Sequence, residues 1–297
     1  MGRPRVGGWA GGFGAVTPGG LSFHRTGSGL LAPVRSEQHE PAIYTPPPVW
    51  ENTYSLSFDG SSGEYCYATL DASSPMKTAD LSALSVAAWV KVTTASALTH
   101  VITSAHSATT VNRYMLLAMN WKQAYVRLKT STSAWWASSL TTDLNDGDWH
   151  HFALAWNNTT LPQIFVDGLL DHEGGLVEGG VFNDAGEELE TIEVGRSPEF
   201  PTWRLKGFCD EIAWFPGVKL SEDDVAEMFS DGPSDLTDSG SYDTDRSGDL
   251  ACHYRNGDHT EAAGDDAPYD ASGSGNETDL NFAAGMDSSN YVTDTPT

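Results

Sequence analysis

The sequence predicts an all-β protein: a sandwich of two antiparallel sheets, with an extended arm ahead of it and an acidic tail behind. Three observations carry this expectation. Short apolar runs alternate with polar residues at a period of two through residues 51–231. Gly, Asn, Asp and Ser separate most of these runs, as tight turns require. No long stretch repeats apolar residues at helical spacing. A chain of 297 residues suits one large sandwich with extensions.

Residues 1–50 form the arm. "MGRPRVGGWAGGFGAVTPGGLSFHRTGSGLLAPV" is rich in Gly and Pro, and "YTPPPVW" closes it with a stiff polyproline stretch. Its apolar residues are too scattered to build a core. Fully extended, it reaches roughly 150 Å at about 3.3 Å per residue, far enough to thread between neighbouring subunits. Its start is basic but lacks an apolar segment, so no secretory signal is expected.

Residues 51–231 hold the strands. "YSLSF" alternates, "DGSSGE" turns and "YCYATL" resumes; "LSVAAWVKV", "RYMLLAM", "QAYVRLKT", "HHFALAW", "QIFVDG", "TIEVG" and "FCDEIAWF" follow. "LSEDDVAEMFSDG" predicts one short helix. Ser221 caps it, Asp223 and Asp224 occupy its first turn, Val225, Met228 and Phe229 face inward, and Gly232 follows its end. Residues 232–297 carry fourteen acids against two arginines from Asp235 onward, and are expected to be an irregular tail with no core of its own.

The net charge of −25 and the count of six lysines argue against nucleic acid or an anionic membrane as partner, since phosphate binding needs clustered cations. No apolar run reaches membrane-spanning length. Cys66, Cys209 and Cys252 are odd in number and show no paired spacing, which favours buried thiols over disulfides or zinc.

"DGDWHHFALAW" places two histidines beside two aspartates, as a metal site would. In a strand, however, neighbouring side chains point to opposite faces, so His150 and His151 cannot grip one ion. His150, Phe152, Leu154 and Trp156 share one face, and Trp149 and His151 the other. Asp146 and Asp148 flank Gly147 in the preceding turn, where they serve backbone geometry. The histidines read as strand.

The same residues resemble a known family. "DGDWHHFALAWN" followed by "QIFVDGLL" is similar to the central signature of laminin G-like, concanavalin A-like domains. "YSLSFDGSSGEYCYA", "LSVAAWVKV" and "LKGFCDEIAWFPGVKLSEDDVAEMF" resemble that family's opening hairpin, next core strand, and closing strand with helix. The resemblance covers roughly residues 52–231 and implies a jelly-roll sandwich. A looser likeness links the C-terminal stretch to tails that follow such domains in structural proteins of tailed viruses. Tyr254, Arg255, Gly257 and Asp258, then Ser272 to Asn276, then Asp294 to Pro296 fit it, while His253 stands where a second aromatic is expected.

The family includes glucanases whose carboxylates lie about 5 Å apart on one strand face. The nearest approach here, "EELETIEVG", offers Glu187, Glu188, Glu190 and Glu193 without the central Asp, so a non-enzymatic protein is expected. A structural calcium ion is implied by the resemblance, with Asp59 and Asp210 at matching positions and turn carbonyls completing six to eight oxygens. Asp243, Asp245, Ser247 and Gly248 imitate an EF-hand start, but Tyr254 occupies the place of the closing Glu, which favours a solvated linker. Of Trp135 and Trp136, at most one can be exposed on a strand. Together these features point to a virion structural protein, a capsid decoration, fibre or tail-appendage subunit. Its arm and tail would contact other virion proteins and copies of itself. The alternative is a calcium-dependent carbohydrate-binding module of a cell-surface or secreted protein, with host-surface glycans as partners.

Overall fold

The alternation read from the sequence sorts side chains between two sheets that face each other across a core. The computed structural model describes residues 52–78, 82–92, 99–107, 114–129, 134–174, 176–178, 189–234, 236–256, 268, 270–272 and 279–296; the arm, residues 1–50, lies outside them. The first sheet runs in the order β10 (Leu169–Glu173), β9 (Gln163–Val166), β8 (Trp149–Asn157), β3 (Ala83–Lys91), β13 (Lys206–Pro216), β1 (Ser55–Asp59) and β16 (Tyr291–Val292). In it, β14 (Cys252–Tyr254) also pairs with β13. The second sheet runs β11 (Leu176–Glu178), β7 (Ala134–Ser138), β6 (Gln123–Lys129), β5 (Tyr114–Asn120), β4 (Thr99–His106), β12 (Thr191–Val194), β2 (Cys66–Thr69) and β15 (Asn281–Phe282). Every named pairing is antiparallel, as a sandwich of hairpins and crossovers requires.

The inner faces make one core. From β8 it takes Phe152, Leu154 and Trp156; from β3, Val86, Ala88 and Val90; from the second sheet, Met115, Leu117 and Val126. The outer face of the first sheet is also buried. Its small residues, Ala87, Ala153, Ala155 and Ala213, leave room for Val225 and Met228 of helix α2 (Glu222–Ser230), and for Leu236, Tyr242 and Leu250 beyond it. A short helix, α1 (Pro75–Thr78), is set between β2 and β3. Helix α2 matches its sequence signals: Ser221 and Asp224 cap each other's backbone amides reciprocally, and Gly232 follows at φ +69°.

Strand β4 lacks a sequence signal because it is buried on both faces. Its outward residues lie under the connection between β12 and β13, where Ser104 Oγ donates to the Arg196 carbonyl and the Lys206 amide donates to His100 Nδ1. Alternation disappears when neither face meets water.

The largest departure from expectation is the acidic tail. It supplies β14 and β16 to the first sheet and β15 to the second, and the contacts of the described residues place it in one compact unit with the sandwich, Val49–Thr297. Of its described apolar residues, Ala251, Cys252, Tyr254, Leu280, Met286 and Tyr291 enter the main core, and Leu236, Tyr242 and Leu250 the outer layer. Its acids satisfy backbone amides where ladders are short: Asp270 accepts from the amides of His253 and Ser272, Asp238 from Gly240, and Asp287 from Ser289. Composition read this segment as an irregular tail because the acids outnumber the anchors that dock it.

Two substitutions test this packing by chemical denaturation. Tyr254→Ala, in a fully buried site, is expected to cost about 3–5 kcal/mol, as large aromatic truncations do. Gly207 has φ +150°, and a Cβ there would lie 2.2 Å from the Lys91 carbonyl oxygen, so Gly207→Ala is expected to destabilise more than an ordinary surface change, by over about 1 kcal/mol. Near-wild-type stability of both would refute the packing described.

Candidate functional site

Strand β8 presents its two histidines to opposite sides, as alternation requires. His150 lies on the inner-facing side next to Phe152, and His151 packs outward against Trp89 and Phe229. A single carboxylate, Asp167, serves both. Its Oδ1 accepts the His151 amide at 2.9 Å, and its Oδ2 lies 2.9 Å from His150 Nδ1. Asp167 and Gly168, at φ +50° and +75°, form the two-residue turn between β9 and β10, so the hairpin tip is tied to β8. A Cβ on Gly168 would meet Phe229 at 2.8 Å, which explains why glycine follows Asp167. On the other side Asp146 Oδ1 lies 3.2 Å from His150 Nε2 and also accepts the Asp148 amide, the turn expected around Gly147. The Trp149 indole donates to Asp294, which is also ion-paired with Lys91 at 2.8 Å, so the signature strand clamps the end of the chain. The motif is a structural fastening.

Asp59 and Asp210 are not brought together. Asp59 ends β1 opposite Lys206, exposed, with Oδ1 accepting the Ser61 amide. Asp210 stands four residues further along β13, fully buried, accepting the Glu211 amide at 2.9 Å. Four ladder steps span about 13 Å, while oxygens sharing one calcium ion lie within about 5 Å. The two therefore cannot hold one ion jointly. Among the described residues no group of three or more His, Cys, Asp or Glu is arranged to hold a metal.

Other sequence candidates divide similarly. Glu187 and Glu188 lie outside the described residues, as do Gly257, Asp258 and 273–276. Glu193 sits on β12 in a two-pronged pair with Arg196, both contacts 2.8 Å, and near His106. Burial opposes its charge, but His106 and Arg196 outweigh burial and hold its carboxyl below the usual range. Asp245 caps a turn through Ser247, and the adjacent Arg246 pairs with buried Asp224, which fits a linker. Trp135 enters the inner core, while Trp136 lies on the outer face of the second sheet. There Arg127 is boxed by Tyr114, Trp136 and Phe200, and Phe200 stacks on Trp203 at 3.9 Å.

Sequence reasoning missed the pair Glu211–His253. Both are buried, with Oε2 2.5 Å from Nε2, joining β13 to β14. The signal was present: two adjacent acids inside the apolar run "FCDEIAWF" need partners if that run is a buried strand. A bulge accounts for their placement. Pairing of β13 with β3 shifts between Asp210 and Ala213, and Glu211 adopts φ +49°. Core-facing parity consequently changes, from Cys209 to Ile212 and Trp214.

The two adjacent histidines are expected to titrate on opposite sides of the ordinary value. Hydrogen bonding to Asp167, aided by Asp146, raises His150 above 6.5, whereas burial pushes His151 down to about 4. For His150 the folded state holds the proton more tightly, so its contribution is present below pH 6.5 and fades as pH rises through the raised value. For His151 the unfolded state binds the proton first. Its contribution is therefore present above pH 6.5 and is lost as pH falls toward 4, by about 3 kcal/mol in all. Proton NMR titration of both rings checks this, and Asp167→Asn should bring His150 back toward 6.5. Two coincident titrations would contradict the geometry.

Comparison with known proteins agrees with the architecture. The family described as the concanavalin A-like lectin/glucanases superfamily, in its laminin G form, matches residues 62–226, more than half of the chain. Among solved structures, a heptameric pentraxin from Limulus polyphemus is similar at TM-score 0.41 and 10% identity, over 57% of this chain and 83% of that one. Domains LG4–5 of the mouse laminin alpha1 chain give 0.42 and 16%, over 63% and 48%. The receptor binding domain of botulinum neurotoxin D gives 0.43 and 16%, over 62% and 45%. This chain thus spans less than half the length of the laminin and toxin chains it matches. No curated protein sequence matches it. From the extent of the family match, the chain belongs to the concanavalin A-like lectin/glucanases superfamily.

Proposed function

We propose that this protein is a non-enzymatic structural component of a virion: a capsid decoration, fibre or tail-appendage subunit that displays a lectin-like sandwich. One observation carries the reading. The C-terminal segment, whose sequence resembles tails in structural proteins of tailed viruses, is woven into both sheets and fastened at Asp294 to Ser55, Lys91 and Trp149. Domain and tail are then one building block, which leaves the arm, residues 1–50, to contact other virion proteins and further copies of the chain. The acids of the central strands support the non-enzymatic part, because Glu193, Asp210 and Glu211 are engaged in structural contacts. The net charge of −25 favours solubility of a displayed domain and disfavours nucleic-acid contact.

A second reading, a glycan-binding module acting at a cell surface or outside the cell, is favoured by Trp121. It is 63% exposed at the tip of the β5–β6 hairpin and held at φ +61°, a conformation uncommon for a bulky residue. Calcium would enter this reading through groups other than the Asp59–Asp210 pair.

Analytical ultracentrifugation of the full chain and of residues 49–297 separates these readings. Concentration-dependent assembly of the full chain, with 49–297 monomeric, is expected for the virion subunit. If the full chain stays monomeric while a glycan array lights up in a calcium-dependent manner and Trp121→Ala silences it, the assembly reading fails and the second takes its place.

A further inference from the structure

Beneath the C-terminal end of α2 lies a small cavity lined by Trp89, His151, Glu211, Met228, Ser234 and Leu236, among others. Three of these side chains bring buried polar atoms with no protein partner: His151 Nδ1, Glu211 Oε1 and Ser234 Oγ. His151 and Glu211 are 2% and 4% exposed, so neither can turn to bulk solvent. Glu211 reaches this place because the bulge in β13 holds it at φ +49°, and its other oxygen is taken by His253. The free volume is about 10 Å³, close to that needed by one water molecule.

The lining decides what fits. Apolar cavities stay dry, but one with two to four polar partners holds water. Only Glu211 and Ser234 offer side-chain oxygens here, too few for calcium, which takes six to eight. We propose that this cavity is a built site for a single structural water, which donates to Glu211 Oε1 and His151 Nδ1 and accepts from Ser234 Oγ. That water joins three separate pieces of chain: β8, β13 and the segment following α2. It is the hydrogen-bonded bridge through which Ser234 docks on the first sheet. The neutral state that burial imposes on His151 leaves a ring nitrogen able to accept.

The test is a high-resolution crystal structure of the full chain, grown in sodium and again in rubidium salts, beside hydrogen exchange of the Ser234→Ala variant. The expected result is one full-occupancy peak within about 2.7–3.2 Å of all three atoms, unchanged between salts. In Ser234→Ala, the amides of Gly232, residue 234 and Leu236 are expected to exchange roughly three- to tenfold faster while β5 and β6 stay as they were. A rubidium anomalous peak would show a cation site and overturn the proposal. So would a cavity without density, its three polar atoms bonded to one another, or unchanged exchange in the variant.

Discussion

Strand β13 is paired along both edges, and the bulge at Asp210–Glu211 is the constraint on which the rest depends. Before the bulge its free edge takes β1, with Leu56 opposite Cys209; after it the same edge takes β14, with Ile212 opposite Tyr254. One extra residue reverses which side chains face the core, so Ile212 and Trp214 fill the interior while Ala213 and Phe215 receive the outer layer. The cost is a buried carboxylate at a strained backbone position. It is offset by His253, which the tail provides. The strand that organises the sandwich therefore cannot be completed without the last quarter of the chain.

The signature around His150 and His151 works by the same logic at the opposite edge of the sheet. Asp167 binds a backbone amide and an imidazole of β8 at once, and Gly168 is the only residue type that lets the Phe229 ring close over the turn. Hairpin, central strand and helix are thereby fixed to one another. Residues that look like a catalytic or metal constellation in one dimension are separated by the pleat in three. Their close spacing in sequence is what prevents a shared ligand.

Legibility followed from burial on one face or two. Strand β6 was plain because Val126 and Leu128 alternate with Arg127 and Lys129, β8 was legible through its signature although both its faces are buried, and helix α2 was legible down to its cap because capping chemistry is local. Strand β4 was invisible because "THVITSAH" is buried on both sides, and β14 to β16 because two or three residues each carry no periodicity. The tail misled through composition: Asp270, Asp279 and Asp287 bind amides, and average acidity does not distinguish a carboxylate doing so from one in water. The calcium expectation rested on two positions along the chain, and only the β1–β13 register shows that they are four steps apart.

The outer face of the first sheet is occupied, and that of the second in part. Helix α2 and the segment after it cover the first sheet, and Phe200 and Trp203 cover part of the second. Among the described residues, the large exposed apolar side chains lie at turns and edges: Trp121 at a hairpin tip, Leu140 and Leu161 in loops, and Leu169 at the start of edge strand β10. They are dispersed over the described residues, in a chain whose net charge is −25. Dispersed apolar side chains of that kind do not make a face against which a whole sheet could be buried. The interior, by contrast, uses its charged residues to close itself.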